Sequence, residues 1–459
     1  MRDIGQSLLR AQRARSIYHR HFLLKCDLSY GATEYSYTKA TIKTLSDVEQ
    51  VFSRKSQLML DDTDKVLHGR DLEGYKAVLS YGLITRAGEE WIATSPLWVA
   101  GQDRDSYRTH LECNLELEGI FDRMQKHKAR STLTLESDDT QTVKDLLTGL
   151  ADTTITDGTN SPYSDYPAYT ITFDSGYDDD GLIDTFIPAD SFRIGLRETR
   201  LAKFKELLKY TNAVARIGND GEIHIFTPVT SGTTYDNYYT LVQGRDYHNF
   251  FNKRFRRRVV SPNYITFMNH PSHDDTYTGF AKDDSADLTD MQEYEDHYCR
   301  PVSNAQCTAL AGALLSKYQM AAEKGAGVLP FVHFGQETYD YVNFVDARAG
   351  DERSGNVGSI SKLYRTDTSQ PQFNMSLGFG RIPLGVAALQ GLAAETGLTA
   401  ANLLPLLDQA YSYIEQILDI LGTKAGIDDM NEILLALYDD AYFRKLTVTE
   451  ELYIPEEAA

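Results

Sequence analysis

Apolar and polar positions alternate with period two in short runs from Phe22 to Phe121. Phe22–Leu28 opens the pattern, and Tyr35–Tyr37 and Thr41–Lys43 follow beside the turn residue Gly31. Ser56–Asp61 ends on an Asp-Asp-Thr-Asp loop, Tyr75–Leu83 alternates, Leu97–Gly101 is short and apolar, and Leu111–Gly119 alternates strictly. Short strands parted by turn residues over ~100 positions predict a sandwich or barrel.

The period then changes. Ile120–Lys128 and Val143–Ala151 read as helices, the second capped by Thr140 or Thr142. A polar Tyr/Asp/Ser/Gly-rich stretch, 152–184, reads as loop. Leu201–Tyr210 is an amphipathic helix. Ala213–Ile217 and Glu222–Phe226 flank Asn219-Asp220-Gly221, which predicts a hairpin. A second β-rich region offers Tyr239–Val242, Arg258–Val260, Tyr264–Met268, Tyr341–Val345 and the hairpin Gly358–Arg365 with Gln372–Phe379. A helix over Ser303–Glu323 interrupts it, with Gly325 and Gly327 expected to end that helix. Beyond Pro383, apolar residues at helical spacing in 400–421 and 428–446 predict a helical module. At the start, Met1–Arg20 reads as a basic helix with Ile4, Leu8 and Leu9 opposite Arg2, Arg10, Arg13, Arg15 and Arg20. Such an arm docks on a neighbour or on its own body; nucleic-acid contact is the sharper alternative.

The expected fold is therefore mainly β with an α+β insert. Its parts are a basic arm (1–20), a β-barrel or sandwich (21–125), an inserted small α/β domain (126–229), a second barrel (230–380) and a helical C-terminal module (381–459). The two β regions are of similar size, which points to duplication, although no residue-level repeat is visible.

Composition sharpens this picture. The 29 Tyr against 2 Trp favour β structure. Lys+Arg total 46 and Asp+Glu 66, a net charge of −20, which suits a soluble, self-repelling chain and not a general nucleic-acid binder. No apolar run reaches the ~20 residues of a membrane span, and Met1–Arg20 has no apolar core of a secretory signal. The 4 cysteines, Cys26, Cys113, Cys299 and Cys307, form no Cys-x-x-Cys pair and read as buried thiols in a reducing cytoplasm.

Candidate chemistry is sparse. Asp174, Asp178–Asp180 and Asp184 lack the first and last ligands of a calcium loop. Asn269–Asp275, with His270 and His273, and His297 among Glu293, Glu295 and Asp296 read as surface residues. The basic run Lys253, Arg254, Arg256, Arg257 and Arg258 suits a protected sheet edge, an inter-subunit ion-pair patch or a polyanion contact. Glu112, Glu116 and Glu118 share one strand face opposite Leu111, Leu115 and Leu117, a candidate acidic surface. No nucleophile elbow, zincin, Walker or dinucleotide motif occurs. No catalytic, cofactor-binding or metal-ligating residue is expected, and no cofactor.

The chain nevertheless resembles a known family. The order "LEGYKAVLSYGLIT", "SPLWVAGQ", "HLECNLELEG", then "FKELLKYTNAVARIGNDGEIHIFTP", then "YVNFVDARAGDERSGNVGSISKLYR" and "FNMSLGFG" is similar to tail hub (baseplate hub) proteins of tailed phages and related tail-like systems. The resemblance spans Phe22 to Gly380 and leaves the arm and the C-terminal module uncovered. It implies two tube-like β-barrels parted by an insert, forming a pseudo-sixfold ring in a homotrimer. Such a ring joins the tail tube or distal tail proteins to a spike, fibre or tape-measure protein. DNA passes through its lumen without specific binding. The implied setting is the virion tail, assembled in the host cytoplasm, with no enzymatic activity. The competing expectation is a carbohydrate-active tail-associated enzyme or sugar-binding receptor protein, drawn from Tyr163, Tyr166, Tyr169 and Tyr177. A receptor-binding tip protein is a third.

Overall fold

The computed structural model describes residues 4–13, 22–85, 87–108, 110–156, 161–177, 181–231, 238–240, 248–249, 252–257, 260–269, 276–284, 292–329, 331–346, 350–366 and 372–379. The expected C-terminal module, Asp178–Asp180, Arg258 and the His270–Asp275 cluster lie outside the described residues.

After α1 (Gln6–Arg13) come β1 (Phe22–Tyr30), β2 (Thr33–Thr38), β3 (Ile42–Gln50), β4 (Ser53–Asp61), β5 (Lys76–Thr85), β6 (Gly88–Ala93), β7 (Leu97–Ser106) and β8 (Leu111–Glu118). The period-two reading holds at side-chain level. Phe22, Leu24, Cys26 and Leu28 of β1 are buried, as are Cys113, Leu115 and Leu117 of β8. β6 was missed because Gly88-Glu89-Glu90 offers no apolar alternation.

The insert holds α2 (Ile120–Lys126), β9 (Leu133–Thr134), α3 (Val143–Asp152), β10 (Ile171–Phe173), α4 (Leu182–Thr185), β11 (Arg193–Ile194), α5 (Arg200–Leu208), β12 (Val214–Ile217) and β13 (Ile223–Phe226). Thr142 caps α3, and Asp145 returns the bond to complete a capping box. Next follow β14 (Tyr238–Thr240), β15 (His248–Asn249), β16 (Asn252–Arg257), β17 (Tyr264–Asn269), β18 (Thr278–Lys282), β19 (Tyr294–Cys299), α6 (Asn304–Ala322), β20 (Glu323–Leu329), β21 (Tyr341–Asp346), β22 (Asp351–Arg365) and β23 (Gln372–Phe379).

The glycines after α6 overturn one expectation. Gly325 and Gly327 do not cap the preceding helix. They are strand residues of β20, paired with Phe255 and Lys253 on one side and Phe379 and Leu377 on the other. A Cβ at Gly327 would lie 2.3 Å from the Phe344 ring, so this glycine serves close packing. The strand expected at Arg258–Val260 falls on residues 258–259, which lie outside the described residues; a described strand runs over Asn252–Arg257, on the basic run itself.

The two strand sets join in one sheet of 15 strands. The junction is β22 with β3, antiparallel from Ser359↔Gln50 to Arg365↔Thr44. Their inner faces fill one core. Phe22 meets Tyr364 and Phe373, each at 5.4 Å between ring centroids, and Tyr81 meets Phe373 at 5.4 Å. α1 inserts Leu8 and Leu9 into the same core, and Gln12 accepts a hydrogen bond from the Phe334 amide. Arg13, expected on the solvent side, is buried with them.

A second core gathers α2, α3 and α5 of the insert, including Leu146, Leu147, Phe204 and Leu207. It extends to Ile265, Phe267, Cys307 and Leu310, so β17 and α6 pack with the insert. One core thus crosses the expected boundary at 229–230.

Candidate functional site

The two strand sets meet at a buried charge cluster. Asp47 on β3 is fully buried and receives Arg54 in a fork, from Nε at 3.0 Å and Nη2 at 2.9 Å. Ser56 donates to it at 2.7 Å and the Tyr81 hydroxyl at 2.8 Å. Lys362 Nζ, carried by β22 and equally buried, stands 3.4 Å away. Arg54 spends its remaining donors on Thr94 and on the carbonyl and hydroxyl of Ser95. Burial alone would raise the Asp47 pKa; the charges of Arg54 and Lys362, with the Arg54 and Ser56 bonds, hold it far below the usual carboxylate range. For Arg54 burial pushes down, and Asp47 and Glu49 more than reverse it. With every acceptor position of the carboxylate engaged, this cluster ties β22 to β3 in one register.

A second polar joint links insert and sheet. Arg216 on β12 places Nη1 3.3 Å from Glu337 and 3.4 Å from Asp340, both carboxylates buried. Its guanidinium also lies 4.5 Å from the Phe226 ring centroid. Within the insert, Arg200 is fully buried and donates to the carbonyls of Leu150, Ala151 and Pro167. Burial lowers its pKa to about 10. His127, burial-depressed to about 4 with help from Arg200 and Arg123, lies 4.3 Å from Tyr166 in a stacked pair.

The sequence-predicted residues are scattered. On β8, Glu116 is exposed, while Glu118 pairs with Lys126 at 2.5 Å. Glu112 is buried and pairs with Lys43 at 3.3 Å, so the three acids do not share one open face. The basic run forms β16, whose backbone sets Lys253↔Gly327, Arg254↔Ala326, Arg256↔Lys324 and Arg257↔Glu323 against β20. β20 is its one partner among the described residues, which makes β16 an edge strand. The side chains of this run lie outside the described residues, as does Arg258.

The supposed sugar-stacking tyrosines are not displayed together. Tyr163 and Tyr169 are buried, Tyr166 covers His127, and Tyr177 bonds to Asp184. Asp184 also meets Lys144 at 3.0 Å, and Asp174 meets His224 at 2.9 Å. His297 is a strand residue stacked on Phe267 at 4.8 Å, its pKa lowered by burial. All four cysteines are buried free thiols. No described helix is long and apolar enough to cross a membrane. The charge cluster and the Arg216 joint leave no local spacing in the sequence, because Lys362 lies 315 positions from Asp47 and Asp340 lies 124 from Arg216.

No protein-family model and no curated protein matches the chain. Solved structures do. A tail protein from Neisseria meningitidis MC58 aligns with TM-score 0.54 at 10% identity, over 78% of this chain and 96% of that one. The 43 kDa tail protein of prophage MuSo2 from Shewanella oneidensis aligns with TM-score 0.50 at 10% identity, over 78% and 98%. The mainly β fold described above, with its large antiparallel sheet and few helices, thus matches the fold of phage tail protein structures.

Proposed function

We propose that the chain is a non-enzymatic structural hub of a phage-type tail or baseplate. Three copies form a pseudo-sixfold ring. The ring joins the tail tube or distal tail proteins to a spike, fibre or tape-measure protein, and DNA crosses its lumen during ejection. The setting is the virion, after assembly in the host cytoplasm.

The observation that carries this reading is the tail-protein fold itself, matched over nearly the whole length of both solved proteins. Two further features support it. Each lobe of the sheet offers strands with a free edge, β2 in one and β16 in the other, among the described residues. Edges of this kind call for covering, and a closed ring of identical subunits covers them repeatedly. At net −20 the chain repels phosphate, which suits a conduit and opposes a binder. Glu116 is the acid of β8 left open to serve a lumen wall.

Native mass spectrometry with electron microscopy of the purified chain tests the reading. The expected result is a ring of three times the 51.7 kDa chain mass. A chain that stays monomeric, and that sits without symmetric neighbours in the native particle, overturns it.

A further inference from the structure

We propose that Asp220, Glu222 and His224 form a binding site for zinc or a chemically similar first-row divalent cation at the β12–β13 hairpin. Their ligand atoms all lie within 4.8 Å of one another. The hairpin explains why: the turn at Gly218–Gly221, closed by the Gly221 amide donating to the Gly218 carbonyl, and the Asp220 carboxylate accepting from the Glu222 amide fold Asp220 back over His224, the first outward-facing residue of β13.

The surroundings orient these donors as metal sites require. Asp174, just past β10, sits 2.9 Å from His224 Nδ1. A carboxylate on one ring nitrogen fixes the imidazole and directs the other nitrogen outward, the usual support of a metal-bound histidine. That other nitrogen, Nε2, is 2.9 Å from Asp220 Oδ2. Tetrahedral ligands at 2.0–2.1 Å from zinc stand about 3.3 Å apart, so the exposed Asp220 carboxylate withdraws by about 0.4 Å from His224, while the Glu222 carboxylate, within 4.8 Å of the others, closes in. The Thr172 hydroxyl, on β10, bonds to Glu222 at 2.5 Å. Gly218 opens the space between the ligands. A Cβ there would lie 2.5 Å from Asp220 Oδ1 and 2.7 Å from His224 Nε2.

One imidazole nitrogen and two carboxylates, with water in the fourth position, suit zinc better than calcium or magnesium, which prefer all-oxygen shells. The ion would tie the Asp220 turn to β13 and, through Asp174 and Thr172, to its parallel neighbour β10. The site is independent of the hub reading and departs from the expectation of no metal. Without an ion the same atoms make a plain ion-pair bracket, with an imidazolium between two carboxylates.

Isothermal titration of zinc chloride into the chelator-stripped full chain at pH 7.5 decides between them. Saturable binding is expected, weakened at least tenfold by Asp220→Asn and by His224→Gln, and about tenfold by Asp174→Asn. Zinc should raise the melting temperature of the wild type and not that of Asp220→Asn. Asp220 is exposed, so its variant folds without the ion. Failure of the wild type to bind at millimolar zinc overturns the site. So does binding that all three substitutions leave unchanged, because the ion then sits elsewhere.

Discussion

Lys362 holds its ammonium 3.4 Å from the carboxylate of Asp47, a residue 315 positions earlier, and both side chains are fully buried. The pair pins a late strand onto an early one at the seam of the sheet. The two partners are unequal. Asp47 also satisfies Arg54, Ser56 and Tyr81. Asp47→Ala therefore removes the carboxylate that two buried cations share and leaves Glu49, 4.0 Å from Lys362, to face them, whereas Lys362→Met leaves the Asp47–Arg54 fork intact. Asp47→Ala is expected to cost about 3–5 kcal/mol. Lys362→Met should cost markedly less. Urea unfolding of both variants measures the difference; equal losses contradict the assignment of Asp47 as the centre.

Acid should weaken the fold before the carboxylates titrate. Burial depresses His127 to about 4 and, with Arg13 adding to it, His333 to about 3; burial also lowers His297. For a base with a depressed folded pKa, the unfolded chain binds the proton first. Stability is then full above the unfolded value of about 6.5 and declines as pH falls toward the folded value. His224 works the other way. Burial lowers it, yet the Asp174 and Asp220 bonds raise it overall, so it adds stability on the acid side. Three against one, the melting temperature should fall steadily from pH 7 to pH 4. A flat profile over that range contradicts the burial of these imidazoles.

Gly82 offers a sharper steric test. Its missing side chain faces β6, and a Cβ would lie 2.1 Å from the Glu90 carbonyl oxygen and 3.2 Å from the Trp91 Cα. Backbone cannot yield as a flexible side chain can. Gly82→Ala should push β6 from β5 and cost about 1–3 kcal/mol. The urea midpoint reads the loss, and hydrogen exchange at 88–93 should rise with it.

Most strand positions of the first lobe were legible because one face is buried and period two survives in the sequence. β1, β5 and β8 show this directly. β18 and β19 were not, since Tyr294 and Tyr298 face outward and the Glu/Asp/His between them gives no apolar run. β20 was hidden by its glycines, which mimic a helix stop and in fact admit the Phe344 ring. The Asp47 cluster was invisible for a different reason. Lys362, Arg54 and Asp47 each look like ordinary surface charges in a strand, and burial arises only when β22 closes on β3. Conversely, the alternation in β8 exaggerated the acid face, because Lys43 of β3, on the far side of β4, reaches over and pairs with Glu112.

The basic run carries the assembly prediction. β16 is an edge strand among the described residues, with Arg256 and Arg257 opposite Lys324 and Glu323 in register. Cations on an edge deter indiscriminate pairing, yet on a chain at net −20 they are also the concentrated positive charge available to a neighbour's carboxylates. Arg256→Glu with Arg257→Glu removes two positive and adds two negative charges, a net change of −4. Analytical ultracentrifugation should show a shift from ring to monomer, while the circular dichroism melt changes by no more than about 0.5 kcal/mol, the range of ordinary surface substitutions. High salt should weaken the proposed ring in the same direction, since the Debye length shrinks from about 8 Å at physiological ionic strength to about 3 Å at 1 M. If the double reversal leaves the ring intact, β16 is a protected edge and the contacts that close the ring lie on other strands. If the melt collapses as well, the run supports its own fold, and its role at the interface has to be read from the single substitutions.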